Sequence, residues 1–288
     1  MNKVATHKKV FPLLKSSIDT ILSNWIILLP YITIVFIQLF ILEILYFSNR
    51  FPLKIFFGPI IRTLSKENFL HYPLNLFLLP ELFQQVQIPL YIFVNSFFIA
   101  VSIGIIAALN SGKKVSLKTI NLEIFKAYVH LVIAAILAFV VLLGVLKLYS
   151  ILYLRANMLR STSGILYIIK FMVMNGKPYF SLLGSILISA LFAFVVPIIV
   201  IEKKKIFAAV GLNFKLLIKY FWTVLGVVFF PTFVFIVILL LRNSLPSNLS
   251  LPEIRVWVLI ASILLTGFID AVVNTAITTF YLLDKEIK

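Results

Sequence analysis

Cysteine is missing from this chain. Its absence excludes disulfides, thiolate metal sites and cysteine nucleophiles. Histidine is nearly missing: His7, His71 and His130 are too few and too scattered to frame a zinc site. Carboxylates are scarce, with 10 Asp and Glu in 288 residues. No two of them stand at a spacing that would suit paired acid and base work. The chain carries no HExxH, no GxSxG, no Walker loop and no GxGxxG at a strand-to-helix turn. These absences predict a protein that is not an enzyme and uses neither cofactor nor metal.

What is present is apolar. Hydrophobic residues make up 62% of the chain, and the mean hydropathy is +1.11. A soluble domain is closer to half apolar and could not bury this much, so the natural solvent is lipid. The net charge of +16 then reads as attraction to anionic membrane lipid and as a topology signal, not as a nucleic-acid surface. The N-terminal apolar run is too long for a signal peptide and lacks a small-residue cleavage site, which predicts a retained first span.

A span needs about 20 mainly apolar residues. Six stretches meet that length: 25–47, 89–109, 128–154, 179–201, 221–241 and 256–283. In lipid they must be helices, because only a helix satisfies its backbone within one segment. The predicted fold is therefore all-α, a polytopic membrane helix bundle within a single membrane domain. Fifteen lysines lie on the side of the chain termini and ten lysines and arginines on the other. The positive-inside rule then predicts both termini in the cytoplasm and the chain in the cytoplasmic (inner) membrane.

The chain also reads as three like units, at roughly 8–112, 113–202 and 203–288. "KKVFPLLKSSIDTILSNW", "KKVSLKTINLEIFKAYVH" and "KKIFAAVGLNFKLLIKYFW" each join a lysine pair to a mixed segment and then a span. The mixed segments are amphipathic at helical period. Phe11, Leu14, Ile18, Ile21 and Trp25 share one face; so do Leu117, Ile120, Ile124 and Tyr128; so do Ile206, Val210, Phe214, Leu217 and Phe221. A basic amphipathic helix beside a span predicts a position in the membrane interface. Lys8, Lys9, Lys113, Lys114, Lys203, Lys204 and Lys205 are the expected headgroup contacts. The second span of each unit opens near a serine: Ser96, Ser185 and Ser262.

Between the first two spans, residues 48–88 are greasy and rich in proline, which predicts short helices at the outer interface. "GILYIIKFMVM" is too short to span and is likewise expected there. Asn248-Leu249-Ser250 matches a glycosylation sequon, a weak signal. Pro30, Pro197 and Pro231 are expected at kinks or span ends, and Glu43 and Asn95 at span boundaries.

One residue stands against the pattern. Asp270 lies near the middle of the last span, where an ionised carboxylate costs about 2.5–3.5 kcal/mol on insertion scales. Ser262, Thr266, Asp270, Asn274 and Thr278 recur every four residues and form a polar stripe. Lipid offers such a stripe no partners, so it must face the bundle interior or water. It serves either as interhelical glue, with Asp270 protonated or paired to a base, or as the lining of a path or pocket. Lys147, inside the third span, either reaches toward Asp270 or snorkels outward.

"FAFVVPIIVIEKKKIFAAVGLNFKLLIKYFWTVLGVV" resembles an element of multi-pass families related to the membrane domain of glycerophosphodiester phosphodiesterases. Pro197, Glu202, Ala209, Leu217, Lys219 and Trp222 carry the resemblance, and Asn213 stands where a serine is common. The similarity spans about forty residues and implies a cytoplasmic-membrane bundle. The catalytic barrel is absent from this chain, so the phosphodiesterase activity does not carry over.

Three functions follow as expectations. The leading one is a non-enzymatic scaffold or accessory subunit of an envelope complex, with other membrane-protein subunits as partners. The alternative is a small transporter or lipid-handling protein using the Asp270 stripe. The third is a membrane immunity or resistance factor.

Overall fold

The computed structural model describes residues 9–65, 69, 71–112, 114–159, 164–244 and 253–286. Among the described residues the chain is helical and contains no strand. The helices are α1 (Val10–Ser23), α2 (Leu29–Phe47), α3 (Leu53–Ser65), α4 (Leu74–Pro89), α5 (Ser96–Asn110) and α6 (Leu117–Met158). They continue as α7 (Gly164–Asn175), α8 (Lys177–Leu191), α9 (Val195–Glu202), α10 (Ile206–Thr232), α11 (Phe235–Ser244) and α12 (Ile254–Glu286). Six segments are long and apolar enough to cross a membrane: Trp25–Phe47, Leu74–Asn110, Leu117–Met158, Lys177–Glu202, Ile206–Thr232 and Ile254–Lys285. The chain is a multi-pass membrane protein.

The spans pack in chain order around a closed ring. The first lies between the second and the sixth, the third between the second and the fourth, and the fifth between the fourth and the sixth. The second, fourth and sixth spans also meet toward the centre, through α5 against α9, α5 against α12, and Phe194 of the fourth span against Phe280 and Tyr281 of the sixth. The core along this axis includes Ala100, Ile105, Ala190, Ile198, Ala271 and Ala276, all essentially inaccessible. The four alanines among them let the helices approach closely, which lipid-embedded bundles need because no hydrophobic force drives their helices together. A Cβ on Gly267 would strike the side chain of Val35, and one on Gly104 would come within 2.8 Å of Ile120.

Several boundaries differ from the expected ones, each for a local reason. The second span begins at Leu74, so the stretch 74–88 continues the span and is not a separate outer helix. Pro80 lies within α4, and Pro89 is followed by a π turn over Leu90–Asn95. The wider turn absorbs the proline instead of ending the helix. Asn95 is buried in that turn, not at a boundary, while Glu43 is exposed. The fifth span stops at Thr232, immediately after Pro231, and the chain resumes as α11. Pro30 sits in the first turn of α2 and Pro197 in that of α9. Both are places where a missing N–H costs nothing.

The amphipathic segments differ more. Only the first is a separate helix, set off by a 3₁₀ turn at Trp25–Leu28. The second runs unbroken into its span as a 42-residue helix, about 63 Å long at 1.5 Å per residue. The third joins its span across a kink at Tyr220 (φ −127°, ψ 15°). Ile21, Ile124, Ile206 and Leu217 of the expected faces are buried, but the buried strips of the first and third segments are rotated in part from the expected ones. Leu13, Ser17 and Ile21 are buried in α1, and Ala209, Asn213 and Leu217 in α10. Phe11, Ile18 and Trp25, placed on that face by periodicity, are exposed, as is Phe214. Each of these two segments thus carries one apolar strip against the bundle and a second pointing away from it. A single-face reading merges the two strips because both recur at three and four residues.

Candidate functional site

The site is built on the second, fourth and sixth spans, which line two cavities at successive levels. The central cavity has a volume of about 150 Å³. Its polar lining comes from Tyr91 and Ser96 of the second span, Ser189 of the fourth, and Asp270 and Asn274 of the sixth. Alanines and aliphatic side chains of the third and fourth spans supply most of the rest. A larger cavity of about 390 Å³ lies nearer the end opposite the chain termini. There the polar lining is Gln84 and Gln87, Ser181 and Ser185, and Ser262 and Thr266. At 1.5 Å per residue, Thr266 and Ser262 stand about 6 and 12 Å along the helix from Asp270. The three spans therefore present polar residues one above another, facing a shared axis.

Two of the three wall helices leave α-helical geometry at the level of Asp270. The π turn Leu90–Asn95 includes Tyr91, and Tyr128 of the third span donates a 2.9 Å hydrogen bond to the carbonyl of Phe93 within that turn. The fourth span breaks between Leu191 and Val195, and Phe192, Ala193 and Val195 line the cavity there. Asn213 holds the break together. Its Nδ2 donates to the Leu191 carbonyl at 2.8 Å, and its Oδ1 accepts from the Phe194 N–H at 3.1 Å. Broken spans at mid-membrane are tolerated where the backbone lines a cavity.

Asp270 lies within the bundle and is partly accessible, because it faces the cavity. Among the described residues its carboxylate makes no hydrogen bond and no ion pair. Three other members of the expected stripe donate to their own helix. Ser262 donates to Leu259 O at 2.7 Å, Thr266 to Ser262 O at 2.7 Å, and Asn274 to Asp270 O at 2.8 Å. Thr278 is fully buried, lines neither cavity, and its hydroxyl has no partner among the described residues. The structure thus brings Ser262, Thr266, Asp270 and Asn274 to the cavities and leaves Thr278 apart. Bonds between helices come from elsewhere, as in Ser102 to Ile27 O at 3.4 Å, and from Tyr128 and Asn213. Lys147 is exposed on α6 and lines neither cavity, so it does not belong with Asp270.

Periodicity alone left several site residues unrecognised. Ser181, Ser185 and Ser189 repeat the four-residue spacing of the Ser262 stripe and were legible on that ground. Gln84 and Gln87 were not, because residues 48–88 read as an outer segment, and Tyr91, inside the expected second span, carries no spacing signal of its own.

At the end carrying the termini, Lys9, Lys114, Lys203, Lys204 and Lys205 are exposed. Lys8 and Lys113 lie outside the described residues, as does the sequon at Asn248. Lys203 pairs with Glu123 at 3.3 Å and adopts a left-handed backbone (φ 55°) that ends α9. Glu202 accepts from Tyr281 and pairs with Lys285 at 2.9 Å. Asp284 accepts from Tyr220 at 2.6 Å and lies 3.7 Å from Lys219. These contacts tie the ends of the fourth, fifth and sixth spans together. No family model matches this chain, and neither does any curated protein or solved structure.

Proposed function

We propose that the chain is a small transporter or lipid-handling protein that binds its ligand within the membrane, on the polar column ending at Asp270. The observation that carries this reading is the unpartnered Asp270 carboxylate facing a cavity where two of the three wall helices depart from α-helix. An unpaired carboxyl inside the bundle is costly, more so than an unpaired hydroxyl such as that of Thr278, and calls for a ligand. The test is solute uptake into proteoliposomes. Asp270→Asn that remains monodisperse should lose uptake, and uptake equal to wild type would sink the reading.

The accessory-subunit reading keeps one specific support. Helix α7 buries no residue of its own, and Ile165, Leu166, Phe171 and Met172 are exposed on it. Native mass spectrometry of the gently purified protein separates the two readings. A stoichiometric partner chain favours the accessory role, and a stoichiometric small ligand lost in Asp270→Asn favours transport.

The reading places the protein in the cytoplasmic membrane, with both termini in the cytoplasm and the exposed lysines on anionic lipid. It also takes the three units as a repeat about a pseudo-threefold axis, supported by the alternation of spans around the ring. Reporters fused at Lys114 and Lys205 should be active in the cytoplasm and one at Lys177 inactive. The reverse pattern would invert the orientation.

A further inference from the structure

We infer that the ligand of the central cavity is a single monovalent cation, held by Asp270 inside a shell of oxygen lone pairs. This rests on the reading of the polar column as a ligand site. Charge is the first argument. Among the described residues that line the two cavities, Asp270 is the one formal charge, and no lysine, arginine or histidine accompanies it. In a low-dielectric interior a lone carboxylate calls for one positive charge. A divalent ion would leave an uncompensated charge in the same surroundings.

The direction of the hydrogen bonds is the second argument. Ser96 donates to Ile92 O at 2.6 Å, and the Asn274 amide nitrogen donates to its own helix. In the larger cavity Ser185 donates to Leu182 O at 2.8 Å, and Ser262 and Thr266 donate to their own helix as well. With their hydroxyl hydrogens committed, Ser96, Ser185, Ser262 and Thr266 turn oxygen lone pairs to the column, and Asn274 keeps its amide oxygen and one N–H. Oxygen lone pairs gathered beside a lone carboxylate, with no cationic side chain in the described lining, favour a cation over an anion.

Size is the third argument. A cavity of about 150 Å³ is of the size that holds a benzene-sized molecule. That admits an alkali-metal ion with a few waters, or a methylammonium ion. A phosphate-bearing headgroup would find no basic partner among the described lining residues.

The experiment is equilibrium binding of radiolabelled sodium, rubidium and methylammonium to the full-length protein in phosphatidylcholine nanodiscs. Ionic strength is held constant with the bulky N-methylglucamine cation. At least one probe should bind saturably, at about one per chain, and magnesium at equal concentration should not displace it. Asp270→Asn should weaken that binding at least about thirtyfold, as expected when a buried charge loses its partner. Ser189→Ala guards against misfolding and should weaken it about fivefold, as loss of one ligating oxygen would. Absence of saturable monovalent binding to the wild-type protein overturns the inference, and so does unchanged binding in folded Asp270→Asn. If cations do not bind while uptake of another solute still requires Asp270, the cation assignment falls and the ligand-site reading stands. If neither binding nor uptake depends on Asp270, both fall.

Discussion

At the end that carries both termini, carboxylates, lysines and tyrosine hydroxyls tie three spans together, whereas the opposite end holds a cavity of about 390 Å³ lined by amides and hydroxyls. The contacts at the opposite end are peripheral to that cavity. Tyr72 donates to Glu253 at 3.2 Å, and Arg255 lies over the ring of Phe77 at 4.6 Å. The difference teaches that the bundle is laced at one end and hollow at the other, with Asp270 between them. A binding site arranged this way exchanges its ligand through the hollow end unless the lacing opens.

The largest expected effect comes from the site itself. Asp270→Asn should abolish ligand-dependent uptake while leaving the thermal transition in detergent unchanged or raised, because it removes an unpartnered buried carboxyl. A fall of several degrees with uptake intact would make Asp270 a structural group. Next is Asn213→Leu. It leaves the Phe194 N–H and the Leu191 carbonyl unpaired beside the central cavity, which costs about 1–3 kcal/mol. Thermal denaturation in micelles should show the loss, and an unchanged midpoint would mean that the break in the fourth span closes on itself. Gly267→Val forces the first and sixth spans apart against Val35 and should cost about 1–3 kcal/mol by the same measurement; tolerance would mean that this crossing is loosely packed.

The lacing should contribute less per contact. Glu202→Gln should cost about 1 kcal/mol, since Lys285 is half exposed at that pair. A double-mutant cycle with Lys285→Ala reads the coupling, and zero coupling would remove the contrast between the two ends. The exposed lysines come last, with an effect per charge no larger than that of the lacing. Replacing Lys204 and Lys205 by alanine should weaken electrostatic attraction to anionic lipid by about 1 kcal/mol per charge. Annular-lipid exchange in mixed nanodiscs would detect this, and equal lipid preference would place those lysines away from headgroups.

The sixth span shows how far periodicity could reach. Five polar residues at four-residue spacing marked a stripe, and four of them line the cavities. Thr278 drifts off, because four residues on a 3.6-residue helix advance the stripe by about 40° at each step. Lys147 was grouped with Asp270 on depth alone. Depth is readable from position in a span, but the side of the helix that faces the axis depends on neighbours the sequence does not list. The amphipathic segments failed differently. A helix wedged between bundle and lipid has two apolar strips, and a hydrophobic pattern does not say which is covered.

The sequence by itself determined the solvent, the helical class and the span count. Each follows from one-dimensional quantities: apolar run length, and the need of every backbone N–H and C=O for a partner in lipid. It also determined that Asp270 must be turned away from lipid. Packing between helices sets Asp270 against a cavity instead of a basic partner and brings Gln84, Ser181 and Ser262 to one cavity. Those facts depend on the rotation of three helices about their own axes and on breaks at residues 90–95 and 192–194. Rotations and breaks of this kind are set by packing between segments up to 178 residues apart in the chain, which no local pattern records.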